Sequence, residues 1–246
     1  MEGQIFNQIA QDYHQKRKKP WRPLEFFMTY LKKKGYLFNG IILDLGAANG
    51  RNFKILGTPP LKIIGIDISL ELLKIARDDL KNPEHYSKKE SSVIQIIQAD
   101  IRYLPIRYNS VQNIFSIATI HHIKHRAERK KMMSSLKKIL RSNGSLIITV
   151  WRKWQKKYRS HFLYDWLKRF LSSEHRYNQE LVGLIEFGDK LIPWTLSDQK
   201  KAYHRFYHFF SKHELQKLLS IFVIKEFKIM GGPSKRDNFF IYAQRD

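Results

Sequence analysis

The chain has 246 residues, with 45 Lys+Arg against 22 Asp+Glu and a formal net charge of +23. That length suits one α/β domain with extensions, and an apolar content of 43% is enough for a buried core, which excludes wholesale disorder. Cysteine is absent, so a disulfide scaffold, a cysteine-ligated zinc site and a cysteine nucleophile are excluded. No apolar run reaches membrane-spanning length and the first residues lack a signal-peptide core, so a cytoplasmic protein is the expectation. The excess positive charge calls for an anionic partner, nucleic acid before an anionic membrane surface.

Residues 1–36 read as an amino-terminal helical segment carrying the first basic block, Lys16 to Lys19 and Arg22. Residues 37–151 alternate apolar, β-branched runs with helical stretches: IILDL (41–45) with a short helix after it, KIIGIDI (62–68), SVIQIIQAD (92–100), NIFSIA (113–118) and SLIITVW (145–151). Continuous apolar runs separated by helices predict a doubly wound, mostly parallel sheet. Residues 152–200 read as a basic, aromatic insertion: a helical stretch followed by a loop punctuated by Gly and Pro. Residues 201–246 carry a helix with a capping box at Ser211 and Glu214, then two strands joined by GGPSKRDN, which predicts an antiparallel hairpin. Basic blocks interleaved with Trp21, Trp151, Trp154 and Tyr158 suggest an RNA-facing surface.

The first strand runs into Asp44-Leu45-Gly46-Ala47-Ala48-Asn49-Gly50. Small residues at such a turn let the backbone approach a ligand closely. The second strand ends at Asp67, placed to accept both hydroxyls of a ribose, and the third ends at Asp100-Ile101, where a side chain and a main-chain N–H can read an adenine edge. Three such strand ends in succession predict a nucleoside-containing cofactor.

On these residues the sequence resembles the class I S-adenosylmethionine-dependent methyltransferases. The resemblance implies a seven-stranded, Rossmann-like sheet whose last strand is antiparallel. It implies that Asp44, Gly46 and Gly50 line the methionine end, that Asp67 with Ile68 holds the ribose and that Asp100 and Ile101 hold the adenine, with Ala48 and Ser116 beside them. Ala48 stands where the middle glycine of the turn is usual, and the acid common at the start of the fourth strand is replaced within Val111-Gln112-Asn113.

The fourth strand continues into His121-His122. Adjacent side chains on a strand point apart and no third ligand is apparent, so the pair predicts no metal site. The His pair joins Arg17-Lys18-Lys19-Pro20-Trp21, Ile192-Pro193-Trp194, the string Arg205-Phe206-Tyr207-His208, and Arg236-Asp237-Asn238. With these pieces the chain resembles the tRNA wobble-uridine carboxyl methyltransferases, which include the methyltransferase domain of an alkylation-repair homologue. That resemblance implies methyl esterification of 5-carboxymethyluridine at tRNA position 34. On that basis Arg17 and Arg205 are expected to clamp the free carboxylate oxygen or the neighbouring phosphate, and His121, Tyr207 and His208 to contact the uracil edge. Trp21 is expected either to stack on the base or to anchor the amino-terminal segment, and Lys153, Lys156 and Lys157 to meet the tRNA backbone. The family also implies a small zinc-containing activator subunit, which the apolar SVIQIIQ edge would suit. Two other readings stay open: a methyltransferase of a small or quinone-like substrate held at an anionic membrane, and a non-catalytic RNA-binding relative.

Overall fold

The computed structural model describes residues 2–57, 60–198 and 201–246. In chain order the strands are β1 (Gly40–Leu45), β2 (Leu61–Asp67), β3 (Ile94–Gln98), β4 (Val111–Ile117), β5 (Leu140–Trp151), β6 (Asp189–Thr195), β7 (Ala202–His208), β8 (Val223–Met230) and β9 (Asn238–Gln244). The helices are α1 (Glu2–Gln8), α2 (Ala10–Lys16), α3 (Arg22–Lys33), α4 (Leu70–Lys81), α5 (Lys88–Ser92), α6 (Arg126–Ile139), α7 (Arg159–Leu171), α8 (Ser173–Leu181) and α9 (Lys212–Leu218).

Seven strands form one sheet in the order β3-β2-β1-β4-β5-β9-β8. The first five are parallel, and β9 runs antiparallel to both β5 and β8. This is the expected doubly wound sheet with its antiparallel end. The order reverses beside β1, which brings the carboxyl ends of β1, β2 and β4 around one crevice, the place where open α/β sheets bind ligands.

Each face has its own core. On one, Met132, Met133, Leu136 and Ile139 of α6 pack with Leu215 and Leu219 against Leu43, Ile114 and Ile148. On the other, Leu24, Phe27, Met28 and Leu31 of α3 pack against Ile42, Phe115, Ile147 and Phe240. The helix expected directly after β1 is absent; a 3-10 turn, Phe53–Ile55, stands there. The sequence after it runs into Gly57 and Pro60, which disfavour a longer helix, and α3 supplies the missing cover. Helix α4 is capped by Ser69, whose Oγ accepts the Leu72 N–H at 3.2 Å, and α9 carries the capping box at Ser211 and Glu214.

The segment read as a helix and then a loop contains more structure. Helices α7 and α8 are followed by β6, which pairs antiparallel with β7 as a separate two-stranded sheet. A bridge between Arg152 and Phe210 docks it beside the end of β5. Successive side chains on a strand alternate faces, so Arg205 and Tyr207 share one face while Phe206 and His208 take the other. The register sets Ile192 opposite Arg205 and Trp194 opposite Tyr203, which puts Trp194 on the face of Arg205. No helix among the described residues is long and apolar enough to cross a membrane.

Candidate active site

A cavity of about 1190 Å³ opens over the strand ends. Its cofactor half is lined by Gly46, Ala47, Ala48, Asp67, Ile68, Asp100 and Ile101. Gly46 has φ +74, and a Cβ there would lie 2.3 Å from Thr119 Oγ1; the tight turn requires glycine. Ala48 also sits at positive φ, 50°, a conformation that costs an L-residue about 1–2 kcal/mol. The turn therefore keeps its shape with an alanine in the usual glycine position. The Ala48 N–H donates to Asp67 Oδ2 at 2.8 Å, and the Ser69 N–H donates to Oδ1 at 2.8 Å. Asp67 lines the cavity, and each carboxylate oxygen has a second lone pair for a ligand hydroxyl, so its position fits a ribose.

Asp100 is already engaged. Arg102 donates Nε to both carboxylate oxygens at 3.0 Å and a terminal nitrogen to Oδ2 at 2.5 Å. Burial opposes ionisation of Asp100, but those bonds outweigh it and hold the group below the usual carboxylate range. An adenine amine would share this carboxylate with Arg102. Asp44, Gly50 and Ser116, grouped with the cofactor residues from the sequence, do not line the cavity. Asp44 is buried in β1 beneath it, Gly50 packs against Phe53, and the Ser116 hydroxyl is buried without a partner.

The other half of the cavity is aromatic and cationic. His121 and His122 lie in a 3-10 turn, Ile120–His122, not on the strand. Both therefore line the cavity, with ring centroids 4.6 Å apart, instead of pointing to opposite faces. His121 stacks on Tyr207 at 4.8 Å, and Tyr207 on Trp151 at 4.5 Å. Burial, with His122 and Arg205 nearby, lowers the His121 pKa well below its usual value. Burial and Arg205 bring His122 to about 3. Both rings are neutral at pH 7. The Trp151 N–H reaches His121 Nδ1 at 3.4 Å, so that nitrogen accepts and Nε2 carries the proton. His122 Nδ1 lies 2.8 Å from the Phe206 carbonyl oxygen and must donate. Burial raises Tyr207 to about 12, so its phenol stays protonated.

Arg17 and Arg205 both line the cavity, and among the described residues neither has an acidic partner. Arg205 is 8% exposed and its Nε has no hydrogen-bond partner. Its guanidinium stacks on Trp194 at 4.7 Å and Tyr207 at 5.1 Å, while that of Arg17 lies 6.0 Å from the Trp194 ring. The Trp194 indole N–H donates to Asp12 Oδ2 at 2.6 Å and Tyr13 stacks on its ring. Trp194 is a site residue that the sequence reading does not select. Its Pro-Trp pair is visible there, but only the β6–β7 register places it on the face of Arg205. Trp21 stacks on Phe240 at 5.1 Å and also lines the cavity; the residue both anchors the segment and forms part of the wall.

Two expected site residues lie elsewhere. His208 faces away from Tyr207, as its neighbour on a strand must. It is fully buried, with Nδ1 2.7 Å from Asp189 Oδ1 and Nε2 2.6 Å from Glu214 Oε1. Lys153 is 5% exposed and donates to the Phe187 carbonyl at 2.7 Å, with Glu214 at 3.7 Å; it is a structural lysine and not a tRNA contact. Lys156 and Lys157 are exposed and line the cavity. Among the described residues, Glu186, His208 and Glu214 have side-chain atoms within 4.8 Å of one another, a spacing that suits a metal ion. Arg129 already meets Glu186 at 2.5 Å and Glu214 at 3.9 Å, and with Lys153 it supplies the countercharge.

Two outcomes test this site. Burial and the Asp67 charge raise Asp44 to about 7, above an unfolded value of about 3.9. Its proton therefore favours the folded state below about pH 4, and that contribution is lost as pH rises through about 7. Urea unfolding of Asp44→Asn against the parent should show the variant gaining relative stability between pH 5 and pH 8; a constant difference contradicts the buried acid. His208→Ala should cost about 2–4 kcal/mol of stability, while the folded variant keeps methyl transfer within about threefold. A large rate loss at unchanged stability would return His208 to the site.

A family profile described as "Methyltransferase domain" matches residues 43–148. A tRNA (carboxymethyluridine(34)-5-O)-methyltransferase of Schizosaccharomyces pombe is 25% identical over 248 residues, covering 99% of this chain and 95% of that protein. A similarly named protein of Saccharomyces cerevisiae is 30% identical over 196 residues, covering 80% of this chain and 57% of that protein. Among solved structures, an S-adenosylmethionine-dependent methyltransferase from Methanosarcina mazei superposes with a TM-score of 0.67 at 20% identity, covering 87% of this chain and 96% of that one. The turn after β1, the buried carboxylate after β2 and the strand order agree with these likenesses: the chain carries a methyltransferase domain over residues 43–148, in the fold of the solved methyltransferases, and is similar along nearly its whole length to a tRNA carboxymethyluridine methyltransferase.

Proposed function

We propose that the protein transfers a methyl group to the carboxylate of 5-carboxymethyluridine at the wobble position of tRNA, forming the methyl ester. The observation that carries this reading is the pair of guanidiniums, Arg17 and Arg205, both near the Trp194 ring in the cofactor's cavity and without acidic partners among the described residues. S-adenosylmethionine, when bound, supplies a methyl group on a sulfonium sulfur. The substrate's carboxylate is ionised at neutral pH, since carboxylic acids of this kind ordinarily titrate at about 4. One of its oxygens forms the new C–O bond, the S–C electron pair stays on sulfur, and no proton has to move.

The residues then have orienting roles. Arg205, held flat by Trp194 and Tyr207, presents its fork to the oxygen that does not react, and Arg17 approaches from the amino-terminal segment. His121 offers an Nε2–H donor to a uracil carbonyl, and the protonated Tyr207 phenol offers another. Holding the carboxylate in line and excluding water supplies the acceleration. Neutral histidines beside Arg205 avoid adding positive charge that would blunt the nucleophile. The cationic cavity wall with Lys156 and Lys157 suits the phosphates around an anticodon nucleotide, whereas a neutral quinone-like substrate has no use for that charge. Ala48 leaves the Asp67 contact in place, which favours an active enzyme over a binding-only relative.

The expected test result is that tRNA from cells lacking the protein loses the methyl ester and accumulates the free carboxymethyl acid on nucleoside mass analysis. In purified protein, Arg205→Ala should slow transfer about tenfold to a hundredfold, and Arg205→Lys should restore little. Unchanged nucleosides, or full rescue by lysine, oppose the reading.

We further propose a small zinc-containing activator subunit on the β3 edge of the sheet. The support is the family resemblance together with an edge strand whose Ile94 and Ile96 are only half-buried beside a groove of about 450 Å³ lined by Leu80, Pro83 and Tyr86. The chain purified alone should be weakly active and gain at least about tenfold when reconstituted with such a subunit. Full activity from a monomer, shown by ultracentrifugation, counts against it.

A further inference from the structure

The loop that bounds the cofactor half of the cavity also holds the backbone of Arg17. Asn49 follows Ala48 in that loop, is 2% exposed and does not line the cavity. Its Nδ2 donates to the Arg17 carbonyl oxygen at 3.0 Å and lies 3.0 Å from His14 Nδ1. A carbonyl only accepts, so the amide nitrogen must be the atom facing Arg17. The Asn49 Oδ1 is then left buried without a partner, an arrangement that costs stability.

The Arg17 side chain donates to the Lys16 carbonyl at 3.3 Å and lies near the Trp194 ring. The residue caps the carboxyl end of α2 with φ −138° and ψ 49°, and its own N–H donates to the His14 carbonyl. Lys18 and Lys19 beyond it are exposed and outside regular structure. Four residues on, the Trp21 N–H donates to Asn52 Oδ1 at 3.0 Å. The segment from Arg17 to Trp21 is thus held by two asparagines of the cofactor loop, one at each end.

We propose that Asn49 is a positioning residue that ties the cofactor loop to Arg17. Ordering of the loop by bound cofactor then sets the arginine for the substrate anion, so that cofactor binding precedes productive tRNA binding. The functional part of this rests on Arg17 being a ligand of the substrate carboxylate; the tether itself does not, and the two are tested separately.

The tether is read without substrate, by limited trypsin digestion of the whole chain with and without S-adenosylhomocysteine. In the parent, the ligand should slow cleavage between residues 17 and 19 about tenfold. Asn49→Ala should bind the ligand within about threefold of the parent yet show no such protection, and Asn49→Ser, which keeps a donor, should recover part of it. Its melting temperature should move by no more than about 3 °C, since losing the orphaned oxygen offsets the lost bonds. In single-turnover methyl transfer, Asn49→Ala should be about tenfold slower, and Asn49→Ala with Arg17→Ala no slower than Arg17→Ala alone. Retained protection in Asn49→Ala, or additive losses in the double variant, would overturn the proposal. If protection depends on Asn49 but Arg17→Ala transfers at the parent rate, the tether stands and the carboxylate role of Arg17 fails.

Discussion

A buried carboxylate at the end of β2 organises the site. Asp67 accepts the Ala48 N–H from the turn after β1 and the Ser69 N–H from the start of α4. Burial raises its pKa, against the opposing pull of the Ser69, Ala48 and Ile68 N–H groups. Charge-assisted bonds of this kind are worth roughly 1.5–3 kcal/mol each. From Asp67 the order spreads outward. Ser69 caps α4, and its hydroxyl donates to Asn7 Oδ1 in the amino-terminal segment. The turn held by Ala48 carries Asn49 and Asn52, which hold Arg17 and Trp21. One strand-end acid thereby shapes the cofactor half of the cavity directly and the substrate half at second hand.

The substrate half follows a different rule, the placement of fixed positive charge beside groups kept neutral. A net charge of +23 attracts polyanions at long range. Inside the cavity, burial and Arg205 keep His121 and His122 neutral, and burial keeps Tyr207 protonated. Arg17 and Arg205, with Lys156 and Lys157, supply the positive charge of this half of the cavity. Such a site suits a nucleophile that arrives already ionised, and serves poorly one that must first lose a proton to a base.

Much of the fold is legible in the sequence because parallel strands buried on both faces leave continuous apolar runs, and because Asp67 and Asp100 close two of them. The stretch after β1 misleads because its cover comes from α3, distant in sequence. Strand β7 is hidden because AYHRFYH mixes charge with aromatics and pairs with a strand interrupted by Pro193. Its period of two separates Tyr207 from His208, which adjacency in the sequence puts together. For the His pair the error runs the other way, since a 3-10 turn brings together side chains that a strand would part. Lys153 resembles its exposed neighbours Lys156 and Lys157 because a charge block does not reveal which member the docking of a small sheet will bury. Asn49 leaves no signal beyond its place in a turn of small residues, and its role depends on contact with a segment 32 positions away.

The central claim is that an ionised carboxylate is the nucleophile and that no side chain acts as an obligatory base. Single-turnover methyl transfer to tRNA bearing 5-carboxymethyluridine, followed from about pH 6 to 8, tests it most directly. The account predicts a flat rate for the parent, and a slower but equally flat rate for His121→Ala, because the ring orients the uracil and takes no proton. A rate that climbs with pH near a histidine pKa in the parent, and loses that climb in His121→Ala, would contradict it and point to a nucleophile that carries a proton.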